Sequence, residues 1–137
     1  MRYAFISIPV AALSVVGGVR SACLLSDYSV QAEFNRSEAV VVGKVVAERT
    51  VPDAEQPEVY GGVIYTVAIE QSYRGQLRKN VELFSENTSG RFPMKRGTRY
   101  LLFLSRDGSH LSADNCGNSG PTSEKEAVVV EIRRLAE

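Results

Sequence analysis

The chain predicts a mainly β domain: a five-stranded Greek-key barrel with a short helix before it and a second helix after it. Three observations lead there. Apolar residues recur at every second position through much of the middle of the chain, the period of a half-buried strand. The strand-like runs follow one another across Gly, Pro and Asn/Asp breaks with no helix between them, which argues against a parallel sheet with crossover helices. Valine-rich strands interrupted by glycine twist too strongly for a flat open sheet, and closing the sheet removes its edges.

The first element is a short helix over residues 29–38, where Val30, Phe34 and Ala39 recur with polar residues between them. Residues 39–49 are rich in valine and read as a long strand. Gly43 interrupts it, a place for a bulge or a close backbone approach. Residues 51–62 hold Pro52, Asp53, Pro57, Gly61 and Gly62 and read as a loop. Residues 63–73 make the clearest strand, with Val63, Tyr65, Val67 and Ile69 on one face and Thr66, Glu70 and Ser72 on the other. Arg74-Gly75 opens a turn. Residues 80–86 form a shorter strand with Val81 and Leu83 inward, and residues 87–97 a loop broken by Gly90, Pro93 and Gly97.

Residues 98–105 are apolar on both faces, so this strand should be central and buried on two sides. Asp107-Gly108 is a hairpin signal leading into a last strand over residues 109–114. Tyr65, Val67, Ile69, Leu101 and Phe103 are expected inside one barrel. The period then changes. Ser123 and Glu126 fit a capping box after Pro121, and Val128, Ile132 and Leu135 recur at helical spacing. Arg133 and Arg134 stand near the helix end, where the dipole favours cations.

Residues 1–21 read as a signal peptide and residues 22–137 as the domain. Arg2 supplies the positive start, residues 4–19 are mostly apolar, and small residues follow at Ser21 and Ala22. No stable membrane span is expected, because the apolar run is short and Pro9 and Gly17-Gly18 break it. Cleavage after Ser21 suits the small or aliphatic recognition positions through Val19 and Ser21. Cleavage after Ala22 would make Cys23 the first residue, and a lipid-anchored Cys23 is a third alternative. Export implies a secreted, periplasmic or extracellular location. That compartment is oxidising, so Cys23 and Cys116, the only two cysteines, most simply pair.

Composition excludes several functions. The net charge is +0, and losing Arg2 and Arg20 with the leader takes it to about −2, which argues against nucleic acid as the partner. His110 is the one histidine, so a metal site of several His or Cys ligands is out of reach. No nucleophile–base pair or glycine-rich phosphate loop stands out, so neither an enzyme nor a cofactor site is expected. His110, Glu70, Glu86 and the basic group Lys95, Arg96 and Arg99 read as solvated surface, and Tyr60, Tyr65 and Tyr73 as packing rather than a stacking platform. A monomer is expected.

An ordered set of residues carries a family likeness. Phe34 is followed by Ala39-Val40-Val41-Val42-Gly43-Lys44-Val45-Val46, Tyr65-Thr66-Val67 and Tyr73-Arg74-Gly75. Then come Gly97-Thr98-Arg99-Tyr100-Leu101-Leu102-Phe103 and Cys116-Gly117-Asn118-Ser119-Gly120-Pro121. In this order, after a leader and a cysteine, the chain resembles the tissue inhibitors of metalloproteinases and their short bacterial relatives over nearly its whole mature length. The resemblance implies a netrin-module-like OB barrel flanked by helices. It also implies a zinc metalloprotease as partner, held by an N-terminal cysteine whose α-amine and carbonyl chelate the target's zinc.

Carried over, the metal contact falls on the backbone amine and carbonyl of Cys23, provided that residue is N-terminal. Leu24 would enter the specificity pocket, Leu25 and Ser26 would continue the contact, and the loops at 53–60 and 88–94 would flank it. The family starts Cys-x-Cys, whereas Leu25 stands two residues after Cys23, and Gly90 occupies the place of a middle-loop cysteine. Cys23 can correspond to either family cysteine; Cys116 aligns with the partner of the second. The other reading is an exported binding module on the same fold, with a protein or cell-surface partner and no protease inhibition.

Overall fold

The computed structural model describes Cys23 and residues 27–137. The leader, its cleavage position, and Leu24, Leu25 and Ser26 lie outside the described residues. The elements are α1 (Val30–Arg36), β1 (Ala39–Pro52), β2 (Tyr60–Arg74), β3 (Asn80–Glu86), β4 (Arg99–Asp107), β5 (His110–Ala113), β6 (Gly120–Pro121), a 3₁₀ turn (Thr122–Glu124) and α2 (Glu126–Leu135). The sheet runs β1-β2-β3-β5-β4-β6, and β4 also pairs with β1, so the first five strands close into a ring. All pairings are antiparallel except β3 with β5, which meet in parallel at Leu83 and Leu111. The mainly β architecture with two flanking helices is the one expected. The two-residue β6 beside β4 is additional.

β4 explains why two cores exist. Its apolar residues alternate between faces, and both faces are covered. Tyr100, Leu102 and Leu104 join Val41, Val45, Tyr65, Val67, Leu83 and Leu111 inside the barrel. Leu101 and Phe103 point the other way, into a second cluster with Phe34, Val40 and Ile132 beneath the helices. The expectation that Leu101 and Phe103 share the barrel interior with Tyr65 and Val67 is therefore corrected. A strand apolar on both faces serves two cores, and period-two alternation assigns its odd and even residues to different ones.

Gly43 has the predicted role. The β1–β2 register shifts between Val42 and Gly43. A Cβ at Gly43 would lie 2.5 Å from Val67 Cγ1 and 3.0 Å from the Ala68 carbonyl oxygen, so the two strands approach too closely for any side chain.

Three boundaries differ from expectation. β1 and β2 keep pairing beyond the barrel, through Thr50–Val63, Val51–Gly62 and Pro52–Tyr60, which leaves only residues 53–59 as loop. The prolines and glycines there end the arms of a long hairpin rather than replace it. The capping box does not form: Ser123 lies in the 3₁₀ turn, and Lys125 precedes α2 with no side-chain cap. Helix α1 is shorter than expected, with Ser29 as its cap; Ser29 Oγ accepts the Ala32 N–H at 3.3 Å.

At the other end of α1, Arg74 donates from Nε to the Ser37 carbonyl at 2.8 Å and from its guanidinium to the Asn35 carbonyl at 3.2 Å. A cation placed on the last carbonyls of a helix suits the helix dipole. Among the described residues, no helix is long and apolar enough to cross a membrane.

Candidate functional site

Cys23 and Cys116 are disulfide-bonded, with Cα atoms 5.8 Å apart and a separation of 93 positions in sequence. Cys23 is exposed and Cys116 half-buried. The bond therefore fastens the start of the domain to the segment that follows β5. Closing so long a loop restricts the unfolded chain and stabilises the fold by about 2–4 kcal/mol. Reduction should lower the unfolding free energy by that amount in chemical denaturation. The intact mass should show one disulfide in protein recovered from an oxidising compartment, and two free thiols there would contradict the pairing.

From Asp27 onward the chain is tied to α1. Asp27 Oδ1 accepts the Ser29 N–H at 2.8 Å, and the Asp27 carbonyl accepts from the Arg36 guanidinium at 2.7 Å. That Ser29 backbone N–H holds the Asp27 carboxyl below the usual aspartate range, helped by the Ser29 hydroxyl and by Arg36. Arg36 also lies over the Tyr28 ring, 5.1 Å from its centroid. Cys23 is thus tied to Cys116 by the disulfide, and Asp27 to the start and end of α1 by its hydrogen bonds.

Two loops come to this edge. The Asn115 side-chain amide donates to the Ser89 carbonyl at 2.8 Å, which ties the residue beside Cys116 to the loop at 88–94. That loop is pinned from below. Phe92 N–H donates to Ser85 Oγ at 2.9 Å, Met94 N–H to the Tyr65 hydroxyl at 3.1 Å, and Lys95 N–H to the Tyr100 hydroxyl at 2.7 Å. Asn87 continues the chain of contacts, with its N–H 3.0 Å from the Gly61 carbonyl and its side-chain amide 3.2 Å from the Tyr60 carbonyl. Through these bonds Cys116, the 88–94 loop and the base of the 53–59 loop are continuous. Leu24, Leu25 and Ser26 lie outside the described residues.

One pair escaped the sequence reading. Glu33 on α1 is buried at 5 % exposure. Its Oε2 accepts from the Asn118 backbone N–H and from the Asn118 side-chain amide, both at 2.7 Å; that amide also donates to the Tyr28 carbonyl at 2.8 Å. Ser119 Oγ accepts the Phe103 N–H at 2.8 Å, and Gly120-Pro121 pairs with β4. The run from Cys116 to Pro121 is therefore a strap that ties the disulfide, α1 and β4 together. A signal was present: Val30, Glu33, Phe34 and Ser37 make one helical stripe, and a carboxylate on a core-facing stripe needs partners.

The other residues singled out from sequence lie elsewhere. His110 is exposed, its ring 5.1 Å from that of Phe84. Glu70 pairs with Arg99 at 2.9 Å, so Arg99 is committed to that bridge. Tyr65 is in the barrel core and Tyr73 packs against the second cluster, while Tyr60 is exposed. Among the described residues, no group of His, Cys, Asp and Glu could hold a metal ion. No protein-family model matches the chain, and no curated protein matches it.

Proposed function

We propose that this protein is a secreted inhibitor of zinc metalloendopeptidases, acting through its N-terminal edge in the manner of the tissue inhibitors it resembles. The observation that carries the reading is the disulfide at the end of the domain. It fastens exposed Cys23 beside Asn115, which in turn holds the 88–94 loop. A Cys23 fixed in place beside that loop loses little freedom on binding, and preorganisation of this kind raises affinity.

The chemistry asks for a free α-amine on Cys23. That amine and the Cys23 carbonyl form a bidentate N,O group able to displace the water from the open position of a catalytic zinc in the target. Leu24 would then fill the apolar pocket beside the metal, contributing roughly 1.5–3 kcal/mol if fully buried. Leu25 and Ser26 would extend the contact along the cleft.

Two forms of the mature protein test this, one beginning at Ala22 and one at Cys23, each assayed against a panel of zinc endopeptidases. The Cys23 form should inhibit, and the Ala22 form should lose inhibition at an unchanged melting temperature, because one added residue blocks the amine without touching the barrel. Equal potency of the two forms would rule out chelation by Cys23. Two inert forms would favour an exported binding module on the same barrel with a cell-surface partner.

A further inference from the structure

Helix α2 carries a second stripe beside the one that serves the second core, sharing with it only the half-buried Val129. Val128, Ile132 and Leu135 pack in the second cluster, and Val129 reaches its edge. Around the helix from them, Glu126, Val129, Val130 and Arg133 recur at i, i+3, i+4 and i+7 and therefore share a face about 10 Å long. Val130, in mid-helix, is 62 % exposed, the most exposed of the large hydrophobic side chains described. All four residues line an open groove of about 540 Å³, whose other wall includes Val42 and Tyr73.

Among the described residues, neither charge has an ion-pair partner. Glu126 and Arg133 stand two turns apart, too far to meet each other. The ion pairs among the described residues are Arg49–Glu82, Arg99–Glu70 and Arg106–Glu38. The helix dipole accounts for an acid at the start and a base at the end. It gives no reason for an exposed valine between them beside a groove.

Reversed, the stripe is its own charge complement: acid, two valines, base lies against base, two valines, acid. We propose that it is a self-association surface, on which a second copy of this chain lays its own α2 antiparallel about a two-fold axis near Val129 and Val130. Glu126 of each copy then faces Arg133 of the other, and each Val130 enters the other's groove. Such an isologous contact satisfies both charges at once. A uniformly acidic or basic partner would meet its own sign at one end of the stripe; a second copy does not. One helix per copy is a small interface, so the dimer is weak and forms at high protein concentration. The surface shares no residue with the Cys23 edge, and the sequence reading expected a monomer.

Sedimentation equilibrium of the domain up to about 1 mM reads the association directly. The wild type should dimerise. Glu126→Arg and Arg133→Glu should each weaken self-association by about tenfold or more, since each places two like-charge pairs in the contact. An equimolar mixture of the two variants should recover a one-to-one complex, and the double variant E126R/R133E should recover the homodimer. Recovery in the mixture shows that both variants are folded. A wild type that stays monomeric throughout, or charge variants that do not associate when mixed although the wild type dimerises, would overturn the proposal.

Discussion

Val67→Asp should abolish the cooperative thermal unfolding transition of this domain. Val67 has no exposed surface and sits in the barrel core between Val45 on β1 and Val81 on β3. Its Cγ1 fills the space that Gly43 leaves open on the neighbouring strand. An aspartate there meets only apolar neighbours. Burying an unpaired carboxylate, or protonating it to avoid the charge, costs several kcal/mol. A domain of this size holds only about 5–15 kcal/mol in total. Val67→Ala separates volume from charge and should cost about 1–3 kcal/mol while leaving a cooperative transition. Ser72→Asp, at an exposed position on the same strand, should change stability by no more than ~0.5 kcal/mol. Melting followed by circular dichroism checks all three, and a Val67→Asp protein with the wild-type melting temperature would mean that β2 faces the other way.

The strands were legible because burial imposes a period on them. Tyr65 and Val67 lie inside, and Val63 and Ile69 pack against the same cluster, as alternation requires. The strand over 98–105 was recognisable as central because it is apolar throughout. What alternation did not convey is which of its faces meets which core. Leu101 and Phe103 went to the helix side because α1 and α2 lie there, a fact that belongs to the packing of distant elements. The hairpin arms beyond residue 50 were hidden for a different reason. Proline and glycine mark breaks in isolation, yet Pro52 and Gly62 sit in a paired ladder that continues to Tyr60.

The candidate edge was legible in part. The only two cysteines of the chain leave one pairing, and the disulfide joins Cys23 to Cys116. The hydrogen bonds that gather the loops around it could not be read, because they connect residues far apart in sequence: Asn115 with Ser89, and Asn87 with Tyr60. Each donor is an asparagine side chain reaching a backbone carbonyl, and such contacts have no period. The run Cys116 to Pro121 stood out as a motif, but its purpose was invisible until Glu33 was found beneath Asn118.

Glu33→Ala should be the most damaging change outside the barrel core. The carboxylate accepts two hydrogen bonds from Asn118, both short, and removing it leaves a backbone N–H and an amide facing a small void. Bonds to a charged acceptor contribute about 1.5–3 kcal/mol each, and an unsatisfied buried donor costs about 1–3 kcal/mol. Part of that is returned, because the desolvated charge disappears with the side chain. A net loss of about 2–4 kcal/mol is expected. Glu33→Gln keeps the shape and one oxygen but not the charge, and should cost less. Gly117→Ala approaches the same contact from the strap, because its Cβ would lie 2.7 Å from Glu33 Cδ and push the carboxylate off Asn118. The decisive measurement is a double-mutant cycle in chemical denaturation with Glu33→Ala and Asn118→Ala. The two losses should overlap by about 1–3 kcal/mol, since either change alone breaks the same bonds. Strictly additive losses would show that the strap is held by its disulfide, by the Ser119–Phe103 bond and by β6 rather than by Glu33. Asn118 is two residues from Cys116, so in hydrogen exchange the Glu33→Ala protein should lose protection around Asn115 and Ser89 as well, beside the loss that amides of β1 and β2 show from the lower global stability.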